Sequence, residues 1–153
     1  MKKAVFILLL VVFTLSLAAQ TGLFDLYFGE SYEDCDLDLY YEGFTYSDED
    51  LDGAEIYVPY EDEYLDYDVD HVRLYFENGK DELTGWAIYF IPSEDCNIEE
   101  VMVAILDKKF GASKYGSKET FYYWPLKEPR FLEADYTDDG TLFYVEFGTE
   151  FED

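Results

Sequence analysis

Basic residues are scarce in this chain. Ten Lys and Arg stand against 36 Asp and Glu, for a formal charge of −26. Such a field repels nucleic acid and anionic lipid, so neither is an expected partner, and it favours cationic partners and divalent metal ions. Histidine occurs once, as His71. Any Ser-His-Asp or Cys-His machinery would have to use it, and no nucleophile motif accompanies it. There is no phosphate-binding loop and no dinucleotide fingerprint. Paired carboxylates can run glycoside hydrolysis, but with 36 acids some pair falls at a suitable distance by chance. The expectation is therefore a non-catalytic protein, with a small carboxylate-dependent hydrolase as the enzymatic alternative.

Cysteine is nearly absent, and Cys35 and Cys96 match neither C-x-x-C nor a zinc pattern. Long apolar runs are limited to one, Ala4 to Leu15, between Lys2-Lys3 and the small residues of Ser16-Leu17-Ala18. That is the layout of a secretory signal peptide over residues 1–19, followed by one domain over residues 20–153 in a periplasm or outside the cell. The apolar run is short for a membrane span of about 20 residues, so no membrane association is expected after cleavage. In an oxidising compartment a Cys35–Cys96 disulfide is the expectation, with two free thiols as the alternative.

What the chain has in abundance is aromatic residues: 16 Tyr, 13 Phe and 2 Trp. Disordered chains are poor in aromatics, so the acidity does not imply disorder. The charge is uneven. Eighteen acids fall between Asp25 and Asp70, whereas Asn97 to Arg130 holds six basic and five acidic residues. One part of the surface is strongly acidic and another is not.

The clearest helix runs from the capping pair Asn97/Glu100 to Gly111, with Ile98, Val101, Met102, Ile105 and Leu106 at helical spacing and Lys108 and Lys109 in the last turn. Ser31 caps a second one, running to about Glu42 and ending at Gly43. Strand patterns cover Glu55–Val58, His71–Phe76, Gly85–Ile91, Thr120–Trp124, Arg130–Tyr136 and Thr141–Phe147. Asn78-Gly79 and Asp138-Asp139-Gly140 mark hairpin turns. Gly43 matches Gly111, Pro59 matches Pro125, and Asn78-Gly79 matches Asp139-Gly140. The order predicts an α+β fold of two α-β-β-β units, with helices packed on one face of an antiparallel sheet.

Phe28-Gly29-Glu30-Ser31-Tyr32-Glu33, the acidic helix ending Tyr41-Glu42-Gly43-Phe44, and Lys108-Lys109-Phe110-Gly111 before a Tyr/Trp-rich strand resemble the openings of small bacterial envelope modules. The architecture over residues 28–147 is similar to the beta-lactamase-inhibitor-protein-like and SmpA/OmlA-like domains. The resemblance implies a small α+β module that binds other proteins outside the cytoplasm. It assigns no residue a role.

Two groups of residues are candidates for binding. Asp48-Glu49-Asp50-Leu51-Asp52-Gly53 fits D-x-D-x-D-G, the opening half of a calcium loop, in which Asp48, Asp50 and Asp52 would converge on the ion. The twelfth position, where a bidentate Glu belongs, is Pro59. The stretch therefore reads mainly as a turn between the first helix and the first strand, with weak calcium binding as the alternative. The second candidate is a surface of Tyr57, Tyr60, Tyr64 and Tyr67 among the acids of residues 40–70, since exposed Tyr gives large contact area at low entropy cost. The composition favours a basic protein or peptide as the ligand of a non-catalytic module. A calcium- or carbohydrate-binding surface module is the alternative.

Overall fold

The structure, a computed structural model, describes residues 26–51, 53–60, 63–64, 67–77, 81–115, 121–127 and 129–149. Residues 1–19, the expected signal peptide, lie outside the described residues. The described chain is α+β. Helix α1 (Tyr32–Tyr41) is followed by β1 (Phe44–Leu51), β2 (Ala54–Pro59), β3 (Glu63–Tyr64), β4 (Tyr67–Glu77) and β5 (Glu82–Phe90). Helix α2 (Ile98–Phe110) is followed by β6 (Lys114–Tyr115), β7 (Tyr122–Tyr123), β8 (Arg130–Tyr136) and β9 (Phe143–Thr149). All pairings are antiparallel, and the sheet order is β1-β2-β4-β5-β9-β8-β7-β6, with β3 attached to β4 off this path.

Both helices begin where local hydrogen bonding dictates. The Ser31 hydroxyl accepts from the Asp34 amide, and the Asn97 side chain accepts from the Glu100 amide. Each bond satisfies an orphan donor of the first turn. Asp107 then pins the C-terminal end of α2. Its Oδ1 accepts from the Ser113 amide at 2.8 Å and from Trp124 Nε1 at 2.9 Å.

Period-2 alternation sorts the sheet into two faces. One cross-strand row crosses all eight strands of the path: Tyr46, Tyr57, Val72, Ile88, Val145, Ala134, Tyr122 and Tyr115. Its central members belong to one apolar cluster with Leu74, Trp86, Phe90, Leu132, Phe143 and Phe147. Cys35 and Leu39 of α1 and Ile98, Met102 and Leu106 of α2 belong to the same cluster. Burying each large apolar side chain there contributes roughly 1.5–3 kcal/mol before the cost of ordering.

Three expectations are corrected. Strand β1, absent from the sequence pattern, occupies Phe44–Leu51. The acidic stretch is consequently not a helix-to-strand turn but the tip of the β1–β2 hairpin. Leu51 pairs with Ala54, and Gly53 takes a φ of +76° there, a conformation a two-residue hairpin loop demands. The Cys35–Cys96 disulfide is not formed. Cys35 is fully buried on the inner side of α1, with its Sγ 3.9 Å from Glu30 Oε2, while Cys96 stands half-buried ahead of the α2 cap. Cys35 is turned into the apolar cluster, of which Cys96 is not a member, so the two side chains do not converge as a bridge requires. The third correction is that Tyr57 is not a surface residue. It is 1% exposed, and its hydroxyl donates to Asp36 Oδ1 on α1 at 3.1 Å. Its strand position puts it on the core face with Tyr46 and Val72.

Candidate functional site

The sheet face turned away from the apolar cluster carries the chemistry. Register stacks three rows across the four central strands β4, β5, β9 and β8. The first is Tyr75, Gly85, Gly148 and Phe131; the second Arg73, Ala87, Glu146 and Glu133; the third His71, Tyr89, Tyr144 and Asp135. Alternation in β4 and β9 sets these residues opposite Val72, Leu74, Val145 and Phe147, which enter the core.

The third row is a stacked rack. His71 lies on Tyr89 with ring centroids 4.3 Å apart and planes 11° from parallel, and Tyr89 stacks on Tyr144 at 5.5 Å. The Arg73 guanidinium sits over the Tyr89 ring at 4.4 Å, a cation–π contact. Arg73 Nε donates to His71 Nε2 at 3.0 Å. Since Arg is always protonated, Nε2 must be the bare acceptor. The imidazole proton is therefore on Nδ1, which lies 2.6 Å from Asp70 Oδ2. Burial holds the imidazole below its ordinary pKa, against the pull of Asp70. Neighbouring strand residues do not normally meet in this way. Here Val69 pairs with Phe90 and His71 with Tyr89, so Asp70 is an extra residue in the ladder. That is a β-bulge, which re-aims side chains.

The first row forms a slot of about 260 Å³. Gly85 and Gly148, paired across β5 and β9, form its floor, and Tyr75 and Phe131 are its walls. A Cβ at Gly148 would lie 2.7 Å from the Phe131 ring, and one at Gly85 would lie 3.1 Å from the Phe147 carbonyl oxygen. The Phe131 ring can lie this close to Gly148, and the β9 backbone this close to Gly85, because both residues lack side chains. Glu146, Thr84 and Thr149 complete the lining. Burial, reinforced by the cross-strand Glu133 and opposed by Arg73, pushes its carboxyl up to about 7.

A second concavity, of about 380 Å³, lies at the far end of the sheet. It is lined by Glu99 from the first turn of α2, Tyr115 of β6, Tyr122 of β7, and Asp135, Tyr136 and Asp138 at the end of β8.

The tyrosines singled out in the sequence do not form one surface, although Tyr64 and Tyr67 are cross-strand partners. Tyr57 is in the core. Tyr60 is exposed and meets Tyr40 edge-on at 6.0 Å, next to Tyr41. Tyr67 is half-buried against the apolar cluster. Tyr64 is in β3, and its side chain lies outside the described residues. Of the acidic triplet, Asp48 is exposed on β1, the Asp50 side chain lies outside the described residues, and so does Asp52. Among the described residues no group of three His, Cys, Asp or Glu is placed to hold a metal ion. Again among the described residues, no helix is long and apolar enough to cross a membrane.

Sequence reading noticed the alternation of His71, Arg73 and Tyr75 but not their partners Glu146, Tyr144 and Phe131. The same alternation in Phe143–Gly148 was the available signal. No family model matches the chain, and neither a curated protein nor a solved structure shows significant similarity to it.

Proposed function

We propose that the protein is a non-catalytic, secreted or periplasmic module that docks a basic protein or peptide on the outer face of its central strands. The slot carries this reading. Two aromatic walls stand over a glycine floor with a carboxylate in the lining, which suits a Lys or Arg side chain. The aliphatic stem packs between the rings and the charge meets Glu146. The overall charge of −26 would steer such a partner and repel nucleic acid and anionic membranes.

The finer reading of the fold belongs to this proposal: two α-β-β-β units with both helices on one face, as in the secreted binding modules the sequence resembles. Each helix precedes a run of strands, and the last strands of the two runs, β5 and β9, pair at the sheet centre. The matched helix stops Gly43 and Gly111 have φ of +93° and +91°. Both helices also contribute to one apolar cluster. Each run places one more strand on the sheet path than the three expected.

The test is capture of a Lys/Arg-rich peptide by immobilised protein across a salt series. Binding should weaken as salt rises and fall several-fold with Phe131→Ala or Glu146→Gln. Salt-independent capture, or capture indifferent to both substitutions, overturns the proposal.

One observation favours a hydrolase as the second reading. Glu133 and Glu146 are direct cross-strand partners, and Glu146 is raised to about 7, as the acid of a hydrolase carboxylate pair would be. Turnover of a glycoside panel that disappears in both Glu133→Gln and Glu146→Gln would establish it.

A further inference from the structure

The cleft at the far end of the sheet shares only Asp135 with the outer-face rows, and its chemistry is one-sided. The Tyr122 hydroxyl donates to Glu99 Oε1 at 2.8 Å. The Tyr136 phenol also lies within the influence of Glu99, and its pKa is raised by burial first and by that carboxylate second. The Tyr122 proton is thus committed to Glu99. The Thr137 hydroxyl, also on the lining, is taken up by Asp139 Oδ1 at 2.7 Å and the Leu142 carbonyl at 3.3 Å. Among the described lining residues, what remains to face a ligand is carboxylate lone pairs from Glu99, Asp135 and Asp138, and the ring faces. Tyr115 stands 5.0 Å from Tyr122 with the planes at 66°, so the two rings form a corner. Tyr136 and Phe143 form a second corner at 5.2 Å and 66°. Among the described residues that line it, none is Lys, Arg or His.

A neutral sugar needs donors as well as acceptors, and this lining has few donors to offer. A bare divalent ion gains nothing from aromatic walls. A compact organic cation uses both features, because the negative ring faces and the carboxylates attract it together. The volume of about 380 Å³ falls at the lower end of the range for small-molecule pockets. We infer that this cleft is a binding site for an organic ammonium group, held between Tyr115, Tyr122 and Tyr136 with Glu99 as the anchoring charge.

The ammonium group could belong to a free quaternary amine or to a lysine side chain, and two probes separate these sources. Tetramethylammonium chloride and Nα-acetyl-lysine amide are titrated into the intact protein while tyrosine ring resonances are followed by NMR. Sodium chloride at matched ionic strength is the control. Saturable shifts of Tyr115, Tyr122 and Tyr136 with either probe, absent with sodium, are expected. Response to tetramethylammonium alone assigns a free quaternary amine, and response to the lysine derivative assigns a peptide side chain. Tyr115 is 59% exposed, so Tyr115→Ala should leave the fold intact and weaken binding by roughly three- to thirty-fold. Glu99→Gln should weaken it further. Shifts that never saturate, that sodium reproduces, or that persist unchanged in a folded Tyr115→Ala protein overturn the inference.

Discussion

Arg73 donates its Nε–H to His71 Nε2 at 3.0 Å, and this one bond fixes the tautomer of the only histidine in the chain. The imidazole is held between a permanent cation and Asp70, flat on Tyr89. It should titrate below the ordinary histidine range, since burial disfavours the charged ring. Nitrogen NMR near pH 7 should show a protonated Nδ1 and a bare Nε2. The linkage has a definite sign. Unfolded His binds a proton near pH 6.5 while folded His71 does not, so its contribution to stability shrinks as pH falls below about 6.5, down to the folded pKa. An imidazole protonated at pH 7, or one with the proton on Nε2, would contradict this arrangement.

Glu146 runs the other way. Its carboxyl is raised to about 7 by burial first and Glu133 second, so the folded state holds that proton more tightly than the unfolded state. Stability from this residue is present at low pH and declines as pH climbs from about 4.5 to about 7. Glu146→Gln should therefore raise Tm at pH 8 and change it little at pH 4. Affinity for a basic peptide should increase as pH rises through about 7, when the carboxylate appears. A Glu146→Gln protein with the wild-type Tm difference between pH 4 and pH 8 would show the burial to be unimportant.

Gly85 and Gly148 are not equivalent despite being paired. A methyl on Gly85 would press on the Phe147 carbonyl at 3.1 Å and the Gly148 Cα at 3.3 Å, both backbone atoms. A methyl on Gly148 meets the Phe131 ring, which is half-buried and can swing. Gly85→Ala should cost about 1–3 kcal/mol by urea unfolding. Gly148→Ala should cost less while closing the slot to ligands. Equal losses of stability would mean that Phe131 is as immovable as the backbone.

The two thiols should react separately. Burial, then the charge of Glu30, pushes the Cys35 thiol up to about 12, and a protonated buried thiol is a poor nucleophile. In the native protein a thiol reagent should label Cys96 alone, and after unfolding without reductant it should label both. Finding no thiol in the unfolded, unreduced protein would restore the disulfide that the compartment argument anticipates.

Whatever depends on near neighbours was legible in the sequence. Ser31 and Asn97 start the helices because each bonds an amide three residues on. Val72 and Leu74 enter the core and His71, Arg73 and Tyr75 do not, because successive strand residues point to opposite faces. Strand β1 escaped notice because Phe44–Leu51 is mostly polar and gains its place by pairing with β2. The tyrosines chosen from residues 40–70 do not share one surface, because nearness in sequence does not fix side-chain direction. Tyr57 is turned inward by the parity of its strand, and Tyr60 is left outside with Tyr40. The candidate sites themselves were decided only by tertiary structure. Tyr75, Gly85, Gly148 and Phe131 form one row because β5 pairs with β9 rather than with the next strand in the chain. Glu99 meets Tyr122 only through the packing of α2 beside the far strands. Composition made the protein acidic and rich in aromatics, but the register of distant strands sets which acids meet which rings, because pairing between remote segments is a property of the whole sheet.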